Sequence, residues 1–435
     1  LSPLFCGIIQ PVAKVGNQKA LYLLIWGLIG AAALSGLLVD GVDALTGLVR
    51  LQTAPARLLQ DFVEIGGTGA TLINAALVAA IGMLVTHLSG IQLSGPTIAA
   101  VFTMFGFGML GKTPLAILPV MAGVALAARV ARKPLGAYLL IALFGTAIAP
   151  VVSMTAIELL PSSPIIGFSA AVAAGLAVGF ILPAFAMAML RFHQGYSLYN
   201  LGMTAGMVAI FVSAIVLALK PDLQLHGTWG TSSSPMISAA IVVSSLVLIA
   251  AGIVFDGRKA ITTLPAIMRE AGRLPSDFLD IVGTGASLVN MGLMGLASWG
   301  FLQLFGIPVN GPMAGAVYTV VGFGAFGKHL RNSWPVVAGV VLGSFLFGLP
   351  LSAPGVALAA LFVTTLAPIA GQFGPVVGIV VGLFHLLIVM QTTAWHSGIN
   401  LYNNGFAGGL TATMAIALIE WYQSNIGSEG RRSSL

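Results

Sequence analysis

Three ordered blocks of this chain occur twice, and that duplication limits its fold more than any other feature. Asp61–Asn74 reads DFVEIGGTGATLIN and Asp277–Asn290 reads DFLDIVGTGASLVN, with nine of fourteen positions identical at an offset of 216. Ser94–Lys112 (SGPTIAAVFTMFGFGMLGK) matches Asn310–Lys328 (NGPMAGAVYTVVGFGAFGK) at ten of nineteen positions in the same register. The third block is HQGYSLYNLGMTAG from His193 and HSGINLYNNGFAGG from His396, where the offset falls to 203. The second copy therefore lacks 13 residues between its second and third blocks. A period of about 200 residues describes two homologous halves, placed at residues 1–220 and 221–435. The polar, Pro/Gly/Ser-rich stretch 221–235 joins them.

The solvent of this chain follows from its composition. Hydrophobic residues make up 58% of the 435 and charged residues 7%, against roughly 25% charged in soluble domains. The apolar residues fall into blocks of about twenty, enough to cross a ~30 Å hydrocarbon core, without the ten-residue alternation of a membrane barrel. The expected class is an all-α integral membrane protein. An ordinary soluble enzyme, a disordered chain and a nucleic-acid-binding module are excluded. The net charge of +6 reads as topology determinants and headgroup contacts with membrane lipids. Cys6, the lone cysteine, excludes an intramolecular disulfide and a Cys-cluster metal site. No metal or cofactor is expected, and no HExxH, Walker-A or GxSxG motif marks an enzyme. The start at Leu1 predicts a trimmed N-terminus. Lys14 and Lys19 follow the first apolar stretch instead of preceding it, which predicts no cleavable signal peptide. The polar tail SEGRRSSL is expected to be disordered.

Apolar segments in copy one run over 21–47, 67–88, 94–111, 114–131, 135–157, 165–190 and 198–219, with counterparts in copy two. Segments 50–64 and 258–280 mix charge with apolar residues and suit surface amphipathic helices. Two segments per copy open on polar, Gly-rich sequence: Ser94-Gly-Pro or Asn310-Gly-Pro, and His-x-Gly-x-x-Leu-Tyr-Asn. Backbone freed at membrane depth survives only beside protein or a water-filled cavity, so both are expected to be re-entrant or broken helices. Five full spans and two partial elements per copy predict about ten full spans in all. An odd count turns copy two upside down, giving inverted repeats. Loop charges favour parallel copies instead: Arg50 and Arg57 correspond to a basic stretch at Arg258, Lys259, Arg269 and Arg273, and Lys112 corresponds to Lys328.

The duplicated polar residues are the candidate site. Asp61 and Glu64, and Asp277 and Asp280, sit three apart on one helical face. They either couple transport to a proton or cation, or cap the helix that follows. Thr68, Thr71 and Asn74 recur as Thr284, Ser287 and Asn290, lining a polar cavity or bonding neighbouring helices. His193, Tyr199 and Asn200 recur as His396, Tyr402 and Asn403. They form either half of a substrate site each, with Asn200 and Asn403 facing one shared cavity, or part of an interfacial belt. TVVGFG at Thr319–Gly324 is similar to a potassium filter. A filter needs about four such loops where one chain supplies two, and close helix packing is the other reading. Lys112 and Lys328 end these elements, placed to neutralise a helix C-terminus or attract an anion.

The motifs DFxxIxGTGAxLxN and HxGxxLYNxG resemble those of uncharacterised bacterial multi-pass membrane proteins with two copies of a domain of unknown function. The resemblance covers most of the chain and implies the bacterial cytoplasmic membrane, without a substrate. Five spans plus partial elements per copy are also similar to the architecture of urea transporters, whose LPxxTxPF-type signature this chain lacks. The expected function is a transporter or channel for a small polar solute or ion, with its pathway between the repeats and a homo-oligomer as one possible assembly. The alternative is a non-transporting scaffold or assembly subunit.

Overall fold

The computed structural model describes residues 18–58, 60–160, 163–222 and 227–425. Cys6 and the tail SEGRRSSL, on which the disulfide and disorder expectations rest, lie outside the described residues.

Copy one begins with α1 (Gln18–Asp40), α2 (Asp43–Thr53), α3 (Phe62–Gly66) and α4 (Thr68–Leu88). The helices α5 (Gly95–Phe107) and α6 (Pro114–Val130) follow. A broken span over Leu135–Leu159 contains α7 (Leu139–Phe144) and α8 (Pro150–Met154), and α9 (Pro164–His193) and α10 (Asn200–Leu219) complete the copy. Copy two repeats the order. It has α11 (Pro235–Asp256), α12 (Lys259–Thr262), α13 (Leu264–Ile267), α14 (Phe278–Val282) and α15 (Thr284–Leu304). Then come α16 (Gly311–Phe323), α17 (Leu330–Leu346), α18 (Pro354–Phe362), α19 (Ala367–Phe373), α20 (Pro375–Trp395) and α21 (Asn403–Asn425). Eight of the described helical segments are long and apolar enough to cross a membrane, nine with the bent pair Leu135–Ile148 and Pro150–Leu159. The chain is a multi-pass helical membrane protein.

Side-chain ties set the direction of each element. Gln18 bonds both the N–H and the carbonyl of Leu93, so the start of α1 and the loop after α4 share one face. Asp40 accepts from the Gly69 N–H at 2.6 Å, joining the end of α1 to the start of α4 on the opposite face. Helix α5 runs back along α4: Met104 packs against Gly82, and Asn74 donates to the carbonyls of Gly108 and Lys112. Helix α6 then returns, because Gly136 just beyond it lies against Ile91. Thus α5 and α6 form a re-entrant hairpin whose tip, residues 108–113, lies inside the protein. Its arms are short, about 20 and 26 Å at 1.5 Å per residue.

Copy two makes the same hairpin from the other face. Gly106 of α5 meets Gly315 of α16, and Ala99 meets Gly322, so the two thirteen-residue helices cross antiparallel. Equivalent helices that run antiparallel across the membrane require a two-fold pseudo-axis in its plane. The repeats are inverted, and the expectation of parallel copies from loop charge is overturned. Three of the eight charges in that count are not free topology determinants. Arg57 is buried in an ion pair with Glu158, and Lys112 and Lys328 are fully buried at hairpin tips.

Two further expectations need correction. The partial elements are the hairpin arms, so Pro114–Val130 is a return arm and Asn200–Leu219 a crossing helix, the reverse of the sequence-based assignment. Segments 50–64 and 258–280 are not continuous surface helices. Pro55, Pro265 and Pro275 each remove an amide donor, and both segments break into short helices joined by irregular backbone.

Candidate functional site

The duplicated polar pairs serve first to hold broken backbone together. Asp61 and Asp277 cap their own short helices, accepting from the N–H groups of Val63 and Leu279 at 2.9 Å each. Each also reaches the other repeat: Asp61 accepts from Gly230 and Gly311, and Asp277 accepts from Gly95 with both oxygens. One carboxylate therefore closes an N-terminus in each copy and ties α5 or α16 to the opposite repeat, where helix-end amides are unpaired. Burial raises the carboxyls of both Asp61 and Asp277 to about 6, a shift reinforced by the neighbouring Glu64 and Asp280 charges and reduced by the backbone amides. Glu64 and Asp280 are exposed.

Asn74 and Asn290 tie down the hairpin tips, Asn290 donating to the carbonyls of Gly324 and Lys328 as Asn74 does to Gly108 and Lys112. Thr71 and Ser287 bond back to Gly67 and Gly283. Thr68 faces the Ser234 hydroxyl at 3.4 Å, and Thr284 is buried. The Ser197 N–H points at His193 Nδ1, so His193 Nε2 carries the proton and donates to Asn200 Oδ1 at 3.0 Å. Asn200 in turn donates to the Ala186 carbonyl. His396, Asn403 and Val389 repeat this arrangement, with Thr392 and Thr393 adding bonds to Asn403. These His–Asn pairs fix the breaks before α10 and α21. The string TVVGFG is helical through Phe323, so its carbonyls serve the helix and its glycine packs against Ala99.

The two HxGxxLYN elements meet. Gly202 and Gly405 occupy equivalent positions in the two copies, and a Cβ on Gly202 would fall 2.7 Å from the Gly405 Cα. Equivalent residues in contact lie on the pseudo-axis, and only glycine permits that approach. Tyr199 and Tyr402 are brought to the same place. Lys112 Nζ donates to the Tyr402 phenol at 2.5 Å, and Lys328 Nζ donates to the Tyr199 phenol and to Thr364. Each lysine of one repeat thus pairs with the tyrosine of the other. Lys112 lies 4.6 Å from the Tyr402 ring centroid and Lys328 lies 4.4 Å from that of Tyr199. Phe107 and Phe323, on the hairpins, pack on the same tyrosines with centroids 4.5 and 4.7 Å apart.

Beside this cluster is a cavity of about 1340 Å³, lined by both repeats. Its walls carry the rings of Phe107, Phe144, Tyr199, Phe323, Phe362 and Tyr402, with Thr103 and Thr319 as an equivalent pair. It reaches from Leu58 to Leu274, which are also equivalents. At the Leu274 end the lining is cationic, with Lys133, Arg191 and Arg273. Near the Leu58 end, Arg57 pairs with Glu158. Among the sequence-selected residues, Tyr199, Asn200 and Tyr402 line the cavity, while Asn403, both histidines, the four carboxylates and the Thr/Asn pairs do not. Asn404 lines it instead, its Oδ1 paired with His385 Nε2 at 3.2 Å.

Sequence reasoning missed three features. Asp40 and Asp256 each accept from a helix N-terminal amide at 2.6 Å, and their 216-residue offset and shared Asp-Gly ending were available signals. The Arg57–Glu158 pair joins residues 101 apart and has no local signature. The aromatic walls contain Phe144 and Phe362, whose equivalence is not visible in the three matched blocks.

The architecture defines a class: an inverted-repeat membrane protein with two re-entrant hairpins meeting at a central cavity. Within that class the chain belongs to the family described as Protein of unknown function (DUF1576), whose profile matches it twice, over residues 41–218 and 257–421. No curated protein and no solved structure matches it.

Proposed function

We propose that this protein moves a small polar solute or ion across the bacterial cytoplasmic membrane, along a pathway between its two repeats. The observation that carries this reading is the cavity of about 1340 Å³ on the pseudo-axis, lined by equivalent residues of both copies. Repeat-built transporters bind at such interfaces, and alternating access rocks one half against the other around the site. The hairpin tips supply what that scheme needs. Their irregular backbone is satisfied by Asn74 and Asn290, so it persists at membrane depth beside a cavity. A scaffold requires no such cavity and no buried lysines. The reading is tested by reconstituting the protein into proteoliposomes and measuring flux of neutral amides, cations and anions, with and without a pH gradient. Saturable uptake of one class is expected. Flux of none, by protein that remains folded and monodisperse, would overturn transport in favour of the scaffold.

A further inference from the structure

Two lysines fully buried in the core of a membrane protein demand an explanation. Burying an unpaired ammonium costs several kcal/mol at least, and intramembrane charges commonly mark pathways. Neither Lys112 nor Lys328 has a carboxylate within ion-pair distance, since Arg57–Glu158 is the one ion pair among the described residues. Their polar partners are the Tyr402 phenol for Lys112, and the Tyr199 phenol with the Thr364 hydroxyl for Lys328. An ammonium has donors only. Each phenol oxygen therefore accepts from lysine; the Tyr402 O–H has no protein acceptor among the described residues, and the Tyr199 O–H has the Thr364 hydroxyl beside it, from which a ligand must draw it. Both tyrosines line the cavity, and their lysines sit one hydrogen bond behind its wall.

We infer that Tyr199 and Tyr402, each polarised by the lysine of the other repeat, donate to the carboxylate of a small organic anion with an apolar body, bound in the central cavity.

The sign of the charge has support independent of the lysines. Lys133, Arg191 and Arg273 line the cavity, and no Asp or Glu does so among the described residues. A cleft lined by one sign of charge raises the local concentration of the opposite ion. The Thr103 and Thr319 hydroxyls donate to the Ala99 and Gly315 carbonyls, so they offer no free proton to compete with the phenols. The walls decide the rest. Seven aromatic rings, Phe326 among them, line the space, and they would leave a bare inorganic ion without compensation for lost water. A carboxylate attached to a ring or short chain fills both needs: the charge meets the phenols and the body meets the rings.

This inference rests on the cavity assigned above as the transport site, but its test is separable from flux. The whole protein, purified in detergent, is titrated with benzoate and with its neutral isostere benzamide by calorimetry. Benzoate is expected to bind at least tenfold more tightly. The double variant Tyr199→Phe/Tyr402→Phe keeps the rings and removes the donors, so benzoate affinity is expected to fall at least tenfold with benzamide unchanged. Lys112→Met/Lys328→Met is expected to abolish the preference. Equal binding of the two probes by the unaltered protein overturns the inference, as does no benzoate binding at millimolar concentration, whether or not any variant folds. Retained preference in the folded double phenylalanine variant also overturns it. Benzoate binding without flux in proteoliposomes would overturn the transport reading and keep the anion site. Flux of a neutral amide by protein that does not prefer benzoate would do the reverse.

Discussion

Arg57 and Arg273 occupy the same position in the two repeats and do opposite things. Arg57 is buried, held by Glu158 through both Nε and Nη2. Arg273 is exposed, stacked 4.2 Å from the Tyr196 ring centroid and donating to the Gln194 carbonyl. Leu58 and Leu274, the residues that follow, donate symmetrically to Gly398 and Gly195. The backbone frame is thus conserved between the halves and the ion pair is not. The cause lies in the residues that copy two lacks. Val152 and Gly175 pack together in copy one, as do Ala370 and Gly378 in copy two. The longer intervening chain in copy one includes the wide turn Thr155–Leu159, which carries Glu158. Copy two passes directly into α20, so no carboxylate reaches Arg273. An inverted repeat with one end latched and the other cationic is asymmetric by sequence, not only by conformation.

The largest expected effect comes from breaking the latch. Glu158→Ala leaves Arg57 buried without a counter-charge, which costs about 3–5 kcal/mol when a buried pair loses one partner. Arg273→Ala removes an exposed cation–π contact worth about 0.5–1 kcal/mol. Thermal denaturation in detergent should show a large fall in Tm for the first and a small one for the second. Similar small shifts for both would mean that the latch contributes nothing beyond a surface ion pair.

A smaller effect compares the hairpin tips. Asn74 and Asn290 make the same two bonds to tip carbonyls, but Asn74 Oδ1 also accepts from Gln52, while Asn290 Oδ1 has no partner among the described residues. Each Asn→Ala change strands two buried carbonyls, at about 1–3 kcal/mol per unsatisfied group. Asn74→Ala additionally strips Gln52 of its acceptor, adding about 1 kcal/mol. The ordering Asn74→Ala more damaging than Asn290→Ala is the expected outcome, read from denaturation midpoints. Gln52→Leu should bring the two positions closer together, and an unchanged gap would remove Gln52 from the explanation.

How far the sequence could be read follows from how local each feature is. The hairpins announce themselves through Ser94-Gly-Pro and Asn310-Gly-Pro, because a cap followed by proline starts a helix wherever it lies. The inversion followed from an odd number of spans, which needs only segment length. The meeting of the HxGxxLYN elements was legible because duplicated glycines and polar groups at a break must be satisfied by something. Side-chain direction was not legible. Asn200 and Asn403 turn to His193 and His396 to close the break instead of sharing one cavity, a choice set by α9 and α20 backbone carbonyls far from the motif. The lysine–tyrosine exchange crosses 290 and 129 residues, so no spacing rule could pair those groups. The hairpin's return arm was also hidden, since seventeen apolar residues resemble a short span until the position of the preceding turn is known.

The most delicate comparison is between Asp61 and Asp277, which are matched in role and both raised from the ordinary carboxyl value of 3.8 to about 6 by burial. A carboxyl whose folded-state pKa exceeds its unfolded one binds protons more tightly when folded. Its contribution therefore favours the folded state at low pH and declines as pH rises from about 4 to about 6. Above 6 both states are ionised and the dependence flattens. Stability in detergent is expected to fall across that window, and Asp61→Asn or Asp277→Asn should each reduce the slope. The asparagine keeps one oxygen, which at the Oδ1 position still accepts from the Val63 or Leu279 amide, so helix capping persists while the titration is lost. At Asp277 the Oδ1 position accepts from both Leu279 and Gly95, so an amide nitrogen at Oδ2 removes only the second half of the shared Gly95 bond, whereas at Asp61 it displaces the acceptor of Gly230. Asp61→Asn is thus expected to destabilise at pH 7 slightly more than Asp277→Asn. A stability profile that rises between pH 4 and 6, and loses that rise in either variant, would show that the amides outweigh burial and hold these carboxylates ionised.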